Sequence, residues 1–340
     1  MTDFAKIPDS LFRFREKKPT SEADTVAANQ LTFAQDAFRR LKKNKAAVFS
    51  VVILILIVIC AFLAPLLAPY NPNAQNVPFA NLPPRIFGLP INGLNGFEKF
   101  RGEWVDQYAL ANVPAGQNYL FGTDAFGRDI LSRLLYGTRI SLTIAFVAAL
   151  LDLTIGVLYG LFSAMKGGMT DNIMQRVLEV MNGIPSLVLV VLLLLVFHPG
   201  MLSIIFALAI SSWIPMAWLV RAQALRLKNL EYVQAARAIG VSPVKIAFSH
   251  ILPNMLSIIV IRAMFSIPSA IFFETFLSFI GVGMKIPNAS IGTLLNDGYK
   301  VFRIHPTQMW IPAIVLCIIM LAFNLFADGL RDAFDPKMKD

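Results

Sequence analysis

The stretch AAVFSVVILILIVICAFLAPLLA, residues 46–68, contains 23 consecutive positions without a charged side chain. A helix rises about 1.5 Å per residue, so roughly 20 apolar residues cross the hydrocarbon core of a bilayer. The whole chain shares this character, because 56% of its 340 residues are hydrophobic and only 15% are charged. Its mean hydropathy of +0.63 lies outside the range expected of soluble domains. The sequence therefore predicts a membrane protein.

Further apolar windows follow the first one, at about 140–165, 173–196, 202–220, 255–280 and 309–327. Lipid accepts only helices and closed barrels, and the alternating segments of about ten residues that build a barrel do not occur in the sequence. The predicted fold class is an all-α polytopic membrane protein with six transmembrane helices. Its predicted parts are a cytoplasmic N-terminal region (1–45), the first helix (46–68), a large external insertion (69–139), and a core carrying helices two to six (140–340).

Positive charge predicts the orientation of these helices. The flank RRLKKNK, residues 39–45, is dense in lysine and arginine, which places the N-terminus in the cytoplasm. Alternation then places the insertion outside, and residues 221–254 and the C-terminus inside. Five basic residues in that central loop agree with this assignment: Arg221, Arg226, Lys228, Arg237 and Lys245. Topology thus explains the net charge of +9 better than nucleic-acid binding does.

Motifs for catalysis or metal binding are missing from the sequence. The chain contains no GxxxxGK[ST] phosphate loop, no HExxH and no GxSxG. Its two cysteines fall inside predicted spans, and its three histidines share no ligand spacing. We therefore expect a chain without catalytic residues, metal or cofactor of its own, whose energy comes from another subunit.

The segment EYVQAARAIGVSPVKIAFSHILPN, residues 231–254, is a polar interruption between two spans. Strong helix formers run to Ile239, and Gly240 suits the left-handed position after a helix end. Ser242 and Pro243 are an N-cap and a first-turn proline, so they predict a second short helix that ends before Pro253. A helix lying on lipid headgroups is the alternative. The small side chains of this segment favour an elbow that docks against another protein.

The same segment resembles a known family motif. Residues 234–236 (QAA), Gly240 and residues 251–253 (ILP) resemble the EAA loop of permease subunits in binding-protein-dependent ABC importers. Gln234 replaces the usual Glu, and His250 stands where Ile is more common. Three further stretches are similar to the "C" subunit of oligopeptide and dipeptide permeases, residues 121–142, 274–298 and 328–336. The arrangement of a lone first span followed by a large insertion is also similar to that subunit.

This resemblance implies the type I ABC importer permease fold and a set of partners. They are a homologous second permease, two cytoplasmic ATPase subunits that bind ATP and Mg²⁺, an external peptide-binding protein and the peptide itself. The complex would lie in the cell membrane of a bacterium and would bind no nucleic acid. The resemblance assigns ATPase coupling to residues of the central loop: Glu231, Gln234, Ala235, Ala236, Gly240, Ser242, Pro243 and Pro253.

The function that follows is uptake of oligopeptides, which the long external insertion favours over the alternatives within the family. Those alternatives are import of dipeptides, nickel chelates or peptide antibiotics. A secondary transporter, a channel subunit or a membrane-anchored assembly factor is the alternative from another class. Co-purification of two ATPases would distinguish an importer from these.

Several polar residues outside the central loop are further candidates. Glu274 is a possible pathway residue that meets the amino terminus of a peptide, and Asp152 is expected to hydrogen-bond a neighbouring helix. Arg262 is expected to extend towards the cytoplasmic side. Gly156 and Gly160 form a GxxxG pair for helix packing, and Pro185 and Pro268 predict kinks. Possible external contacts are Asp124, Gly127, Arg128 and Asp129.

Overall fold

The computed structural model describes residues 33–86, 91–100, 102–197, 199–285 and 287–334. The predictions made for residues 1–32, for the turn at His198 and for the end of the C-terminal tail lie outside the described residues. Two short strands form an antiparallel hairpin, β1 (Phe97–Phe100) and β2 (Glu103–Asp106), and Phe97 pairs with Asp106. All other regular elements in the described ranges are helical.

The α-helices are, in chain order, α1 (Phe33–Lys43), α2 (Lys45–Phe62), α3 (Ala64–Leu67), α4 (Gln107–Leu110), α5 (Ile130–Lys166), α6 (Gly168–Gly183), α7 (Ser186–Val196), α8 (Met201–Ser211), α9 (Ile214–Leu227), α10 (Glu231–Ala238), α11 (Pro243–Ile246), α12 (Leu252–Phe279), α13 (Ile291–Lys300) and α14 (Thr307–Phe334). A short 3₁₀ helix covers Val77–Phe79, and a π-helical turn covers Ala247–Ile251.

Five helical segments of the described residues are long and apolar enough to cross a membrane: Lys45–Phe62, Ile130–Lys166, Met201–Leu227, Pro243–Phe279 and Thr307–Phe334. The predicted third span falls on α6 and α7, which are bent by 80° relative to each other. Counting this bent pair as one broken span gives the six predicted spans.

Pro185 causes the break between α6 and α7. The residue before a proline is pushed out of the helical region, and Ile184 accordingly has an extended ψ of 123°. The predicted kink at Pro185 is therefore confirmed. Pro268, by contrast, lies within the uninterrupted helix α12.

Helix α5 occupies the centre of the bundle and packs against α9, α12 and α8, while α2 packs against α14. Gly156 and Gly160 allow the close approach of α9. A β-carbon on Gly156 would lie 2.6 Å from that of Met216, and one on Gly160 would collide with the carbonyl oxygen of Ala217. The GxxxG pair thus packs helices, as its spacing predicts.

Several helices extend beyond the apolar windows or were not predicted. Helix α5 begins at Ile130, ten residues before the predicted span, because Asp129 caps it by accepting a hydrogen bond from the Ser132 N–H at 2.8 Å. Helices α1 and α13 lie in polar segments that hydropathy does not identify. Ser290 and Thr293 form a capping box that starts α13.

The insertion has a small aromatic core of its own. Phe79, Leu82, Tyr108 and Tyr119 are buried together, and burial raises the pKa of the Tyr108 hydroxyl. The insertion also packs on the helical bundle, because the Gln308 amide donates to Asn81 Oδ1 at 3.0 Å.

Candidate functional site

Helix α10 forms the first arm of the central loop. Its buried residues Val233 and Ala236 belong to a core cluster that also contains Ile246 and Ile251. Glu231 lies in the first turn and Arg237 in the last, where their charges complement the helix dipole. One face of α10 is therefore fixed to its own chain, and the opposite face is exposed.

The bend after α10 is a Schellman motif centred on Gly240. The N–H of Val241 donates to the Ala236 carbonyl at 3.1 Å, and the N–H of Gly240 donates to the Arg237 carbonyl at 3.0 Å. This closure requires a left-handed residue, and Gly240 has a φ of +84°. The predicted conformation of Gly240 is confirmed, and its hydrogen bonds give the bend a fixed shape.

The second arm begins at Ser242, whose hydroxyl accepts a hydrogen bond from the Lys245 N–H at 3.4 Å, and Pro243 occupies the first turn. Both features match the prediction. The predicted end before Pro253 is wrong, because the helix continues from Pro243 to Phe279. Pro253 has no N–H to donate, and the wider π turn just before it accommodates the missing backbone hydrogen bond. The second arm is therefore continuous with span α12.

Most residues assigned to coupling lie at the surface of the two arms. Those exposed are Glu231, Gln234, Ala235, Gly240, Ser242, Pro243 and Pro253. Ala236 is only 7% exposed and faces the core of its own chain. Only Ala235 of the alanine pair is thus accessible to a partner.

Two apolar residues of the bend were missed by sequence reasoning. Ile239 is 82% exposed and Val244 is 67% exposed. The signal was available, because both interrupt a polar segment on either side of Gly240. We call the exposed group of Ala235, Ile239, Gly240 and Val244 the elbow surface.

An ion pair lies behind the two arms, and sequence reasoning did not identify it. Arg221 donates two hydrogen bonds to Asp171, from Nε at 2.7 Å and from Nη2 at 2.6 Å. Asp171 also accepts from the Ser163 hydroxyl. Lys228 Nζ donates to the Ala164 carbonyl at 2.9 Å. These contacts tie the ends of α5, α6 and α9 together next to the central loop.

The predicted external contacts Asp124, Gly127, Arg128 and Asp129 are all buried, so the structure contradicts that assignment. Arg128 Nε donates to Asp124 Oδ2 at 2.7 Å, and Asp129 caps α5. A β-carbon on Gly127 would collide with the backbone of Asn76. Burial raises the pKa of the Asp129 carboxyl. Asp124 and Arg128 pair with each other because a buried charge needs a partner.

The ionic cluster extends to helix α13. Arg133 is 1% exposed and lies 3.5 Å from both Asp124 and Asp297. We call Asp124, Arg128, Arg133 and Asp297 the ionic cluster. It joins the end of the insertion to α5 and α13.

Glu274 does not line an open pathway, which corrects the prediction. Its side chain is fully buried and accepts hydrogen bonds from the hydroxyls of Ser141 at 2.6 Å and Ser278 at 2.8 Å. The Ser141 hydroxyl also accepts from the N–H of Ile291 at 3.3 Å. Glu274 therefore holds α5, α12 and α13 together.

Comparison with known proteins places these features in a family. Residues 156–340, more than half of the chain, match the family model for the binding-protein-dependent transport system inner membrane component. The chain belongs to this family. Residues 32–84 match the model for the N-terminal TM domain of oligopeptide transport permease C. This permease is therefore a multi-pass inner-membrane protein and a non-catalytic transport subunit, and the family decides against a secondary transporter or channel.

Relatives of this permease match over nearly its full length. The dipeptide transport system permease protein DppC of Lactococcus lactis subsp. cremoris is 43% identical, over 95% of this chain and 96% of its own. The oligopeptide transport system permease protein OppC of Bacillus subtilis is 37% identical, over 98% of this chain and 99% of its own. Solved structures show the fold alone. The inward-facing MetNI methionine ABC transporter aligns with a TM-score of 0.50 at 18% identity, over 60% of this chain and 97% of that one.

A cavity with a partly polar lining lies among the helices of this permease. Its volume is about 290 Å³, and helices α5, α7, α8 and α12 contribute to its lining. Asp152 Oδ2 accepts a hydrogen bond from the Ser266 hydroxyl of α12. The predicted hydrogen bond from Asp152 to a neighbouring helix is therefore confirmed. Arg262 also lines the cavity, as Asp152 does.

Proposed function

We propose that this permease forms part of the membrane pathway of an ATP-driven importer that takes up oligopeptides. A homologous second permease completes the pathway, and an external binding protein delivers the peptide. Two cytoplasmic ATPase subunits bind ATP and Mg²⁺ and supply the energy. Both termini of the permease then lie in the bacterial cytoplasm, and the insertion lies outside.

The elbow surface is the observation that carries this proposal. Ile239 and Val244 are largely exposed on either side of the bend, where water is an unfavourable neighbour for an apolar side chain. Contact with an ATPase subunit would cover them. The exposed Gln234 and Glu231 provide polar groups beside this apolar surface. The arrangement matches an interface with an apolar centre and a polar rim.

The covalent continuity of the second arm with α12 supports a coupling role. A movement of the ATPase against the elbow surface would reach α12 through one helix that runs from Pro243 to Phe279. The Schellman motif holds the first arm at a fixed angle to the second. Such rigid elements transmit displacement, whereas a mobile loop would absorb it.

The peptide substrate is supported by the relatives, which are named as oligopeptide and dipeptide permeases. The match of residues 32–84 to the oligopeptide permease C model favours oligopeptides. Dipeptide import is the second candidate, since the relative at 43% identity is a dipeptide permease. Uptake assays with peptides of two to six residues would distinguish the two.

Substitution of Ile239 by Glu tests the coupling surface. A charge at this position would have to be buried in the interface, so we expect the ATPase subunits to be lost on purification while the second permease is retained. The control is Leu110→Glu, because Leu110 is a 65% exposed apolar residue of the insertion. Full recovery of the ATPases with Ile239→Glu would contradict the proposal.

A further inference from the structure

The cavity lined by Asp152 and Arg262 contains buried groups that lack a hydrogen-bond partner within the described residues. Asp152 is 2% exposed, and its Oδ1 atom has no such partner while Oδ2 is held by Ser266. Ser212 Oγ is buried and unpartnered in the same way. Both residues line the cavity. An unpaired buried carboxylate oxygen is costly, so the cavity is arranged to receive a donor.

The break in the third span also opens at this cavity. Asn182 and Ser186 lie on the two sides of Pro185, and both line the cavity. Helix α7 begins at Ser186 without a side-chain cap, so the first N–H groups of this helix point towards the break. Discontinuous helices with their ends at a mid-membrane cavity are a recurring design for substrate sites in transporters.

The cavity lies within the membrane-spanning parts of its helices. Asp152 is 14 residues from the end of α5 at Lys166, which is about 21 Å along a helix. Arg262 lies seven residues, about 10 Å, inside the predicted span 255–280. Ionisable groups at such a depth mark functional sites because they are expensive to place there.

A negative and a positive group thus line one small cavity. An importer of peptides must accept substrates with many different side chains. The features common to all of these substrates are the free termini and the main chain. Asp152 offers an acceptor for an ammonium group. Arg262 and the α7 N-terminus offer donors for a carbonyl oxygen.

We propose that this cavity binds the amino-terminal residue of the transported peptide, with its ammonium group at Asp152 Oδ1 and its first carbonyl oxygen at Arg262. This inference rests on the proposed function, since it assumes a peptide substrate. It assigns to the permease a selectivity of its own for a free amino terminus, in addition to that of the delivery protein.

The test compares a tetrapeptide with its N-acetylated form in proteoliposomes that contain the complete importer, its binding protein and ATP. The measured quantity is the ratio of kcat/KM for uptake of the two peptides. We expect the wild type to favour the free peptide by about tenfold or more, as one charge-assisted hydrogen bond would give. Asp152→Asn should bring this ratio close to that set by the binding protein alone.

The matched control is Thr154→Ala. Thr154 lies two residues from Asp152 on α5 but is exposed on the outer face, and its hydroxyl bonds its own helix backbone at Leu150. This variant should keep the wild-type ratio. The binding protein is the same in every arm, so its own preference cancels when ratios are compared.

Each outcome decides. A wild-type ratio in Asp152→Asn overturns the inference, whereas failure of the wild type to import either peptide contradicts the proposed function instead. If Asp152→Asn assembles but imports neither peptide, the same ratio is measured for Ser266→Ala instead. It removes the donor that positions Asp152, and an unchanged ratio in that variant overturns the inference.

Discussion

Asp171 and Arg221 form a bidentate ion pair that joins α6 to α9 across 50 residues of sequence. The Asp171 side chain is 11% exposed and that of Arg221 is 27% exposed, so this pair is partly shielded from water, unlike a fully exposed surface salt bridge. Asp171 lies in the first turn of α6, and Arg221 lies in the second half of α9, the helix that leads into the two arms. The pair therefore holds α6 and α9 together next to the central loop that contains the two arms.

We expect Asp171→Asn to lower the stability of the permease. The substitution keeps the size of the side chain but removes its charge, and hydrogen bonds to charged groups each contribute about 1.5–3 kcal/mol. The thermal unfolding midpoint of the purified complex measures this loss. Arg176→Ala is the control, because the Arg176–Glu179 pair is exposed at 80% and 52% and should contribute at most about 1 kcal/mol. Equal midpoints for the two variants would contradict the assignment.

Gly240 provides a test of the bend that separates backbone shape from surface contact. Its φ of +84° is accessible to Gly and tolerated by Asn, but a β-branched residue is strongly disfavoured there. We expect Gly240→Val to remain in the membrane and to hydrolyse ATP while peptide uptake falls by tenfold or more, roughly the effect of 1–2 kcal/mol at the bend.

The comparison variant at this position is Gly240→Asn. A β-carbon on Gly240 meets nothing within 4 Å, so the first side-chain atom of either substitution has room. Uptake and ATP hydrolysis measured in the same vesicles report the coupling. Loss of uptake in both variants would show that the side chain, not the backbone, is what matters at this position.

Features set by neighbouring residues could be predicted from the sequence. The spans follow from runs of apolar residues, the break in the third span follows from Pro185, and the bend follows from Gly240 and Ser242. Each of these depends on the chemistry of a few adjacent positions. The predicted end of the second arm before Pro253 was wrong because the π turn that accommodates this proline leaves no clear pattern in residue types.

Contacts between distant residues could not be predicted in this way. Glu274 is assigned to a pathway from its sequence because it is an ionisable residue near membrane depth, and its partner Ser141 is 133 residues away in the sequence. Arg128 looked like an external residue because Asp297 comes from a different helix. Burial of a charge depends on the partners that the fold brings to it, and the hydropathy of the sequence does not identify those partners.

Gly160 is predicted to set the spacing between α5 and α9. A β-carbon there would collide with the Ala217 carbonyl and lie 3.0 Å from the Arg221 backbone nitrogen. We expect Gly160→Ala to lower stability by about 1–3 kcal/mol, the typical cost of overpacking. Gly183→Ala is the control, since a β-carbon on Gly183 meets nothing within 4 Å. Thermal inactivation of uptake in membranes compares them, and equal half-lives would refute this role of Gly160.

The ionic cluster provides the final prediction, which concerns the attachment of the insertion. Arg128 and Arg133 are each 1% exposed, and Asp124 lies within 3.5 Å of both. Asp124→Asn would leave two buried guanidinium groups with less negative charge, a change that costs about 3–5 kcal/mol when a buried pair is broken. We expect faster hydrogen exchange and faster proteolysis between residues 121 and 133.

Lys300→Ala distinguishes this effect from a general loss of surface charge. Lys300 lies 3.6 Å from Asp297, but its side chain is 64% exposed, so its pair with Asp297 is screened by water. The control should exchange at the wild-type rate. If Asp124→Asn also exchanges at that rate, the insertion is held by its aromatic core and by the Gln308–Asn81 contact instead of by the ionic cluster.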